Sequence, residues 1–369
     1  MRLVFSVMCS AVVAGSLTAC SGSGTGTPNA TPLGASESRV RALDNTAISL
    51  APPWNPSGEV RRLQFNTPRV SKAETPPLQR GGYYGAEFSG TDILGWAPKP
   101  NKNNDPPICN IPSGTGFNGI TSDRKGHLVV PGVFEGVPEI NLYSGPPVCG
   151  TLLATIPDST GQPGDAGVVF NAAQGNFVVG EIANYTSHAG DVLVCSFVTL
   201  SCGAPVTNSN ITGYGAGVAM AANGDCWMAA GTSEFDLVHP GFVLVYWQGC
   251  TGPGQVATGT LNASYGGLFI DRNGYLGSFD AFSNTLYVYS GCNPACTLVG
   301  GPFQLKGQSF FGNLNGAGTR LAVGDYSNAD IDVYSYTPTG LTFKYSFNAG
   351  LVPNDIVESG IFEPQNPQP

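Results

Sequence analysis

The sequence predicts an all-β fold: a six-bladed β-propeller of four-stranded antiparallel blades, closed by both chain termini and preceded by a disordered tether. Three observations predict it. Gly (51) and Pro (29) punctuate the 369 residues, while charged residues make up only 11%. That is less than half the usual share and leaves too few Glu, Lys and Arg to cover a helical bundle. A Gly-containing turn followed by an apolar strand recurs every 44 to 50 residues. The last copy breaks off after one strand, and its missing strands stand at the other end of the folded region.

The N-terminus reads as an export signal spanning residues 1–19. Arg2 is followed by an apolar run from Leu3 to Gly15, too short to span a bilayer. Leu17-Thr18-Ala19-Cys20 resembles the bacterial lipobox, in which cleavage falls before an acylated Cys. The resemblance implies lipidation of Cys20, each buried CH₂ adding about 0.8 kcal/mol to anchoring. Ser21 rather than Asp follows. By the sorting rule of enteric bacteria this places the anchor in the outer membrane, facing the periplasm or the cell surface.

Residues 20–82 form the expected tether. They are polar and Pro-rich, with seven basic and four acidic side chains. As a flexible coil they have an r.m.s. span of roughly 40–45 Å. Residues 83–369 carry the folded domain, with eight basic and 21 acidic side chains. A net charge of −13 there repels nucleic acid and anionic lipid. The chain reads as a monomer that meets the membrane only through its anchor.

The repeat turns align as 123–126, 171–175, 222–224, 271–274 and 315–318. Each leads into an apolar strand: HLVV from His127, NFVV from Asn176, DCWM from Asp225, YLGSF from Tyr275 and RLAV from Arg320. A third strand then ends at Tyr143, Cys195, Tyr246, Tyr289 or Tyr334. Units start at Gly119, Gly167, Gly217, Gly266, Phe310 and Asn354, a period that fits four strands and three turns. The sixth unit takes its remaining strands from Tyr83, Asp92 and Ile108, which leaves no open edge. The recurring Tyr residues are expected to pack between blades, and Asp123 and Asp271 to bond their own turns.

Gly267-x-x-x-Asp271-x-x-Gly274, followed by Asp280-x-x-x-Asn284, resembles the NHL and gluconolactonase-like six-bladed propellers over residues 83–369; Asp325-Tyr326-Ser327-Asn328 repeats the second element. The resemblance implies a Ca²⁺ site at the channel mouth that polarises a lactone. Asn118 matches the family's Asn, and Asp165 or Asp355 could supply its Asp. The family's Glu has no counterpart, and a missing oxygen ligand weakens such a site.

Of ten Cys, eight remain once Cys9 and Cys20 are set aside. Export favours disulfides. Cys195 with Cys202 and Cys292 with Cys296 sit on turns after third strands, and Cys226 faces Cys250 across a hairpin. Cys109 and Cys149 stay open. The three His stand in different units, which speaks against zinc.

Residues that break the repeat where inner strands begin are the candidate ligand contacts: Asn118, Asp165, Tyr214, Tyr265, Phe310, Asn354 and Asp355. Such loops converge on the central channel. No Gly-x-Ser-x-Gly elbow or Walker loop occurs. The leading reading is a lipid-anchored envelope module that binds a protein, a glycan or a small molecule without catalysis and without a cofactor. The alternatives are a Ca²⁺-dependent lactonase or esterase and a structural subunit of an envelope complex.

Overall fold

The computed structural model describes residues 83–87, 92–96, 109–112, 119–122, 127–134, 137–144, 152–168, 175–232, 241–262, 265–348 and 353–358. All lie within one unit, Val70–Pro369. The signal segment, Cys20, the tether, Asn118 and Cys149 fall outside the described residues. No helix among the described residues is long and apolar enough to cross a membrane.

The described strands assemble into six sheets. The first holds β1 (Tyr83–Glu87), β2 (Asp92–Trp96) and β3 (Cys109–Pro112), with β25 (Pro353–Glu358) along the far side of β1. The β1–β25 ladder is antiparallel and runs from Tyr83 opposite Glu358 to Glu87 opposite Pro353. Five sheets then follow in chain order. Strands β4 (Thr121–Ser122), β5 (His127–Phe134), β6 (Val137–Ser144) and β7 (Leu152–Pro157) form the second sheet. The third comprises β8 (Gly161–Val168), β9 (Asn176–Asn184), β10 (Asp191–Ser196) and β11 (Ser201–Cys202). The fourth comprises β12 (Gly215–Met220), β13 (Cys226–Gly231), β14 (Phe242–Trp247) and β15 (Gln255–Val256).

The fifth sheet has five strands. Added to β17 (Leu268–Ile270), β18 (Leu276–Asp280), β19 (Thr285–Ser290) and β20 (Ala295–Gln304) is β16 (Thr258–Gly259), which pairs parallel to β20. The sixth comprises β21 (Gly312–Leu314), β22 (Arg320–Asp325), β23 (Asp330–Thr337) and β24 (Gly340–Asn348).

The core lies between sheets. One cluster joins Val178 and Val192 of the third sheet to Val218, Met228 and Trp247 of the fourth. The next joins Trp227 and Tyr246 to Leu268 and Tyr289. Another joins Phe279 and Leu286 to Leu321 and Tyr334. Ile331, Val333 and Phe347 meet Tyr83 and Trp96 of the first sheet, and Tyr84 and Ile93 meet Leu128 and Val130 of the second. The low charge of the sequence follows from this layout, because each sheet buries apolar side chains on both faces.

The repeat residues have repeated duties. Asp271 Oδ1 accepts the amides of Asn273 and Tyr275, and Asn315 Oδ1 those of Thr319 and Arg320. Asp280 and Asp325 close the turns between second and third strands in the same way. The third-strand Tyr residues are buried. Tyr289 Oη accepts the amide of Asn262 and Tyr334 Oη that of Lys306, so each pins the segment approaching its own sheet.

Among the described residues three disulfides form, each joining strands or turns of a single sheet: Cys195–Cys202, Cys226–Cys250 and Cys292–Cys296. Cys195 and Cys202 face each other on β10 and β11. Closing the span from Cys226 to Cys250 contributes roughly 3–4 kcal/mol in the chain-entropy account, and the shorter loops about 2 kcal/mol each.

One boundary differs from the sequence reading. The inner strand of the third sheet starts at Gly161, six residues before Gly167. Its ladder to β9 shifts register twice around Pro163, so the extra residues lack the alternation that marks a regular strand.

Candidate binding face

The segments approaching the inner strands and the turns between second and third strands lie at one end of the sheets. Neighbouring inner strands are bonded there by main-chain contacts: Gly119 N to Gly164 O at 2.5 Å, Gly217 N to Gly266 O at 3.1 Å, and Gly267 N to Phe310 O at 2.7 Å. Gly119 is required at its position, since a Cβ there would lie 2.5 Å from Asp165 Oδ1.

Asp165 is deeply buried at 4% exposure. Its Oδ1 accepts the amide of Ala166 at 2.8 Å and its Oδ2 that of Val218 at 2.9 Å. The carboxyl thus ties the inner strand of the third sheet to that of the fourth, and both oxygens are engaged in doing so. Burial pushes its pKa up to about 7, against the pull of the two amides.

Five half-buried rings form an arc across three sheets. Phe282 stands 5.8 Å from Phe242, Phe242 6.2 Å from Tyr265, Tyr265 6.4 Å from Phe310, and Phe310 5.7 Å from Tyr326. The rings meet tilted or edge-on, as aromatic quadrupoles prefer. Burial raises the Tyr265 hydroxyl to about 12, helped by the nearby charges of Asp165 and Tyr214. The structure therefore brings together Asp165, Tyr214, Tyr265 and Phe310. Asn354 and Asp355 lie on β25, and their side chains are outside the described residues. Phe242, Phe282 and Tyr326 were missed in the sequence because they sit away from the inner-strand starts: Phe242 opens the third strand β14, and Phe282 and Tyr326 lie in turns between second and third strands.

Beside this arc, on the third sheet, lies an acidic group absent from the sequence reading. Asp158, Glu181 and Asp191 are buried together with Asn184. Thr160 Oγ1 lies 2.8 Å from Asp158 Oδ1 and 2.6 Å from Glu181 Oε1, and Asn184 Nδ2 donates to Asp191 Oδ2 at 2.8 Å. Burial raises Glu181 to about 10, reinforced by its hydrogen bond to Asp191 and the charges of Asp158 and Asp191. Burial also raises Asp191. His188 stands in the exposed turn beside this group, with a positive φ of 58°.

Antiparallel sheets that follow one another in chain order, main-chain contacts between neighbouring inner strands and cores between consecutive sheets define the architecture. The chain is a β-propeller. Solved structures agree. A protein of a nidogen/laminin complex superimposes with a TM-score of 0.53 at 13% identity, over 74% of this chain and 97% of that one. The periplasmic gluconolactonase of Pseudomonas aeruginosa gives 0.52 at 11% identity, over 76% and 99%. A Lactobacillus plantarum protein gives 0.50 at 11%, over 75% and 98%. No protein-family model and no curated protein sequence matches the chain. At these identities the likeness shows the propeller fold alone.

Proposed function

We propose that this propeller is a non-catalytic binding module of the bacterial cell envelope, held by lipid on Cys20 and presented on the tether of residues 20–82. A six-bladed ring closed by both termini carries it, a reading supported by the six sheets and the β1–β25 ladder. The observation behind the function is the arc Phe282–Phe242–Tyr265–Phe310–Tyr326. Half-buried rings offer flat apolar area at little entropic cost, and the hydroxyls of Tyr265 and Tyr326 supply polar edges. Such a surface suits a sugar or peptide face. The acidic domain favours a neutral or cationic ligand.

Binding of neutral oligosaccharides and of cationic peptides to immobilised protein tests this. Tyr265→Ala and Phe310→Ala are expected to lower affinity at least tenfold for whichever probe binds, each ring removing a few kcal/mol of contact. If no probe binds, or the variants bind like wild type, the arc is packing alone.

The second reading is a Ca²⁺-dependent lactonase, favoured by the superposition on the Pseudomonas gluconolactonase. Turnover of glucono-δ-lactone that needs Ca²⁺ and is lost in Asn118→Ala or Asp355→Ala would replace the binding reading with this one.

The anchor has its own test. Cys20→Ala is expected to abolish metabolic labelling with palmitate and to leave uncleaved precursor. Unchanged labelling and processing would remove Cys20 as the site.

A further inference from the structure

We propose that Asp158, Glu181 and Asp191 form a binding site for a hard divalent cation of the Ca²⁺ class, set in the third sheet beside the aromatic arc. The site involves none of the residues that the gluconolactonase resemblance singled out.

Four observations carry it. The three carboxyl groups are 6%, 0% and 0% exposed. Glu181 and Asp191 stand directly opposite on β9 and β10, a cross-strand position where like charges destabilise a sheet. Two oxygens on different side chains, Asp158 Oδ2 and Asp191 Oδ1, are buried and accept no hydrogen bond. Finally, Gly161 gives the Glu181 carboxyl room to pack against the main chain of β8, since a Cβ there would lie 2.6 Å from Glu181 Oε2.

No positive charge among the described residues offsets this. Lys306, by contrast, pairs with Asp330 and Asp332 of the sixth sheet. That contrast is informative, because buried Asp332 has the cation that the third sheet lacks. The hydroxyl of Thr160 has a single proton for two carboxyl contacts, so the group is short of positive charge by simple counting. One proton on Glu181 can serve only one neighbouring oxygen. A divalent cation displaces that proton to solvent and satisfies both orphaned oxygens together. No three such side chains among the described residues already form a closed metal-ligand set. Binding would therefore close the group by rotating side chains, with water completing the shell. Ca²⁺ tolerates such flexible oxygen coordination, and Mg²⁺ does not.

The test uses the full chain, stripped with EDTA. Tyr185, whose hydroxyl is raised to about 12 by burial and by the charges of Asp158 and Asp191's partner Glu181, is near enough to sensitise Tb³⁺. Excitation of tyrosine is expected to give Tb³⁺ emission that Ca²⁺ displaces and Mg²⁺ displaces poorly. At 100 times its dissociation constant, Ca²⁺ is expected to raise Tm by about 5 °C or more. The isosteric variants Glu181→Gln and Asp191→Asn are expected to melt no lower than wild type in EDTA and to lose at least tenfold in Ca²⁺ affinity. Should a variant fail to fold, Tb³⁺ emission from wild type still decides. Absence of displaceable emission, or a Ca²⁺ shift equal in wild type and variants, overturns the proposal. A melt that ignores Ca²⁺ and rises only as pH falls does so too, and assigns the group to a shared proton.

Discussion

A chain ending at residue 352 is expected not to fold into a stable monomer. The truncation removes β25, the antiparallel neighbour of β1 through five paired positions. Each main-chain hydrogen bond contributes about 1 kcal/mol net, so the ladder alone contributes several kcal/mol. A domain's whole stability is about 5–15 kcal/mol. The truncation also bares the edge of β1, a template for aggregation. Gel filtration and far-ultraviolet circular dichroism should show aggregated or unfolded protein. A chain ending at residue 358 keeps β25 and should melt like wild type. If both truncations melt together, the terminal strand contributes nothing to the fold.

The second large effect is expected at Asp165, and its sign depends on pH. Asn has one acceptor oxygen where the carboxyl has two, and its amide would face the N–H of Ala166 or Val218. Leaving a buried donor unmatched costs about 1–3 kcal/mol. At pH 4 Asp165→Asn should therefore be less stable than wild type by that amount. Wild type carries a liability that the variant lacks. The Asp165 pKa lies near 7 in the folded protein, above its ordinary value of 3.8. The unfolded chain therefore loses this proton first as pH rises. The stability it contributes is complete below about pH 4 and is lost as pH climbs through about 7. A shift of about three units corresponds to roughly 4 kcal/mol. The stability difference between wild type and variant should thus shrink and then reverse by pH 8. Urea unfolding of both proteins from pH 4 to pH 8 measures it. A constant difference would mean that Asp165 keeps an ordinary pKa.

Much of the architecture could be read from the residues, and the reason is the repeat. Turns such as Asp271 to Gly274 need a side-chain acceptor and a Gly at positive φ, here 82°. Both leave a mark in the sequence. The apolar strands that follow, such as Phe177 to Val179, are buried on both faces and so carry no polar interruption. The three disulfides were legible because each closes a hairpin whose strands were already assigned. Irregular pieces were not. The two-residue strand β16 owes its place to β20, a partner almost forty residues away, and nothing local predicts it. The early start of β8 was hidden by Pro163 and its register shifts.

The candidate site divides in the same way. Tyr265 and Phe310 were visible as breaks in a pattern, and they lie in one aromatic arc. Asp165 was visible too, but its oxygens hold main-chain amides of two inner strands. Asp158, Glu181 and Asp191 share no motif, and only folding brings them together. One signal was available: Glu181 interrupts an otherwise apolar run from Phe177 to Ile182, where a charge on a buried strand calls for a partner.

The placement of the disulfides bears on how the molecule withstands cleavage. Cys226 and Cys250 bracket the whole connection between β13 and β14. A protease that cuts anywhere between them yields two fragments still joined by a covalent link. The Cys195–Cys202 and Cys292–Cys296 bridges do the same for the tips of their own hairpins. These three neighbouring sheets can thus be nicked within the bridged spans and remain whole, whereas a cut between one sheet and the next leaves only packing and hydrogen bonds to hold the pieces together.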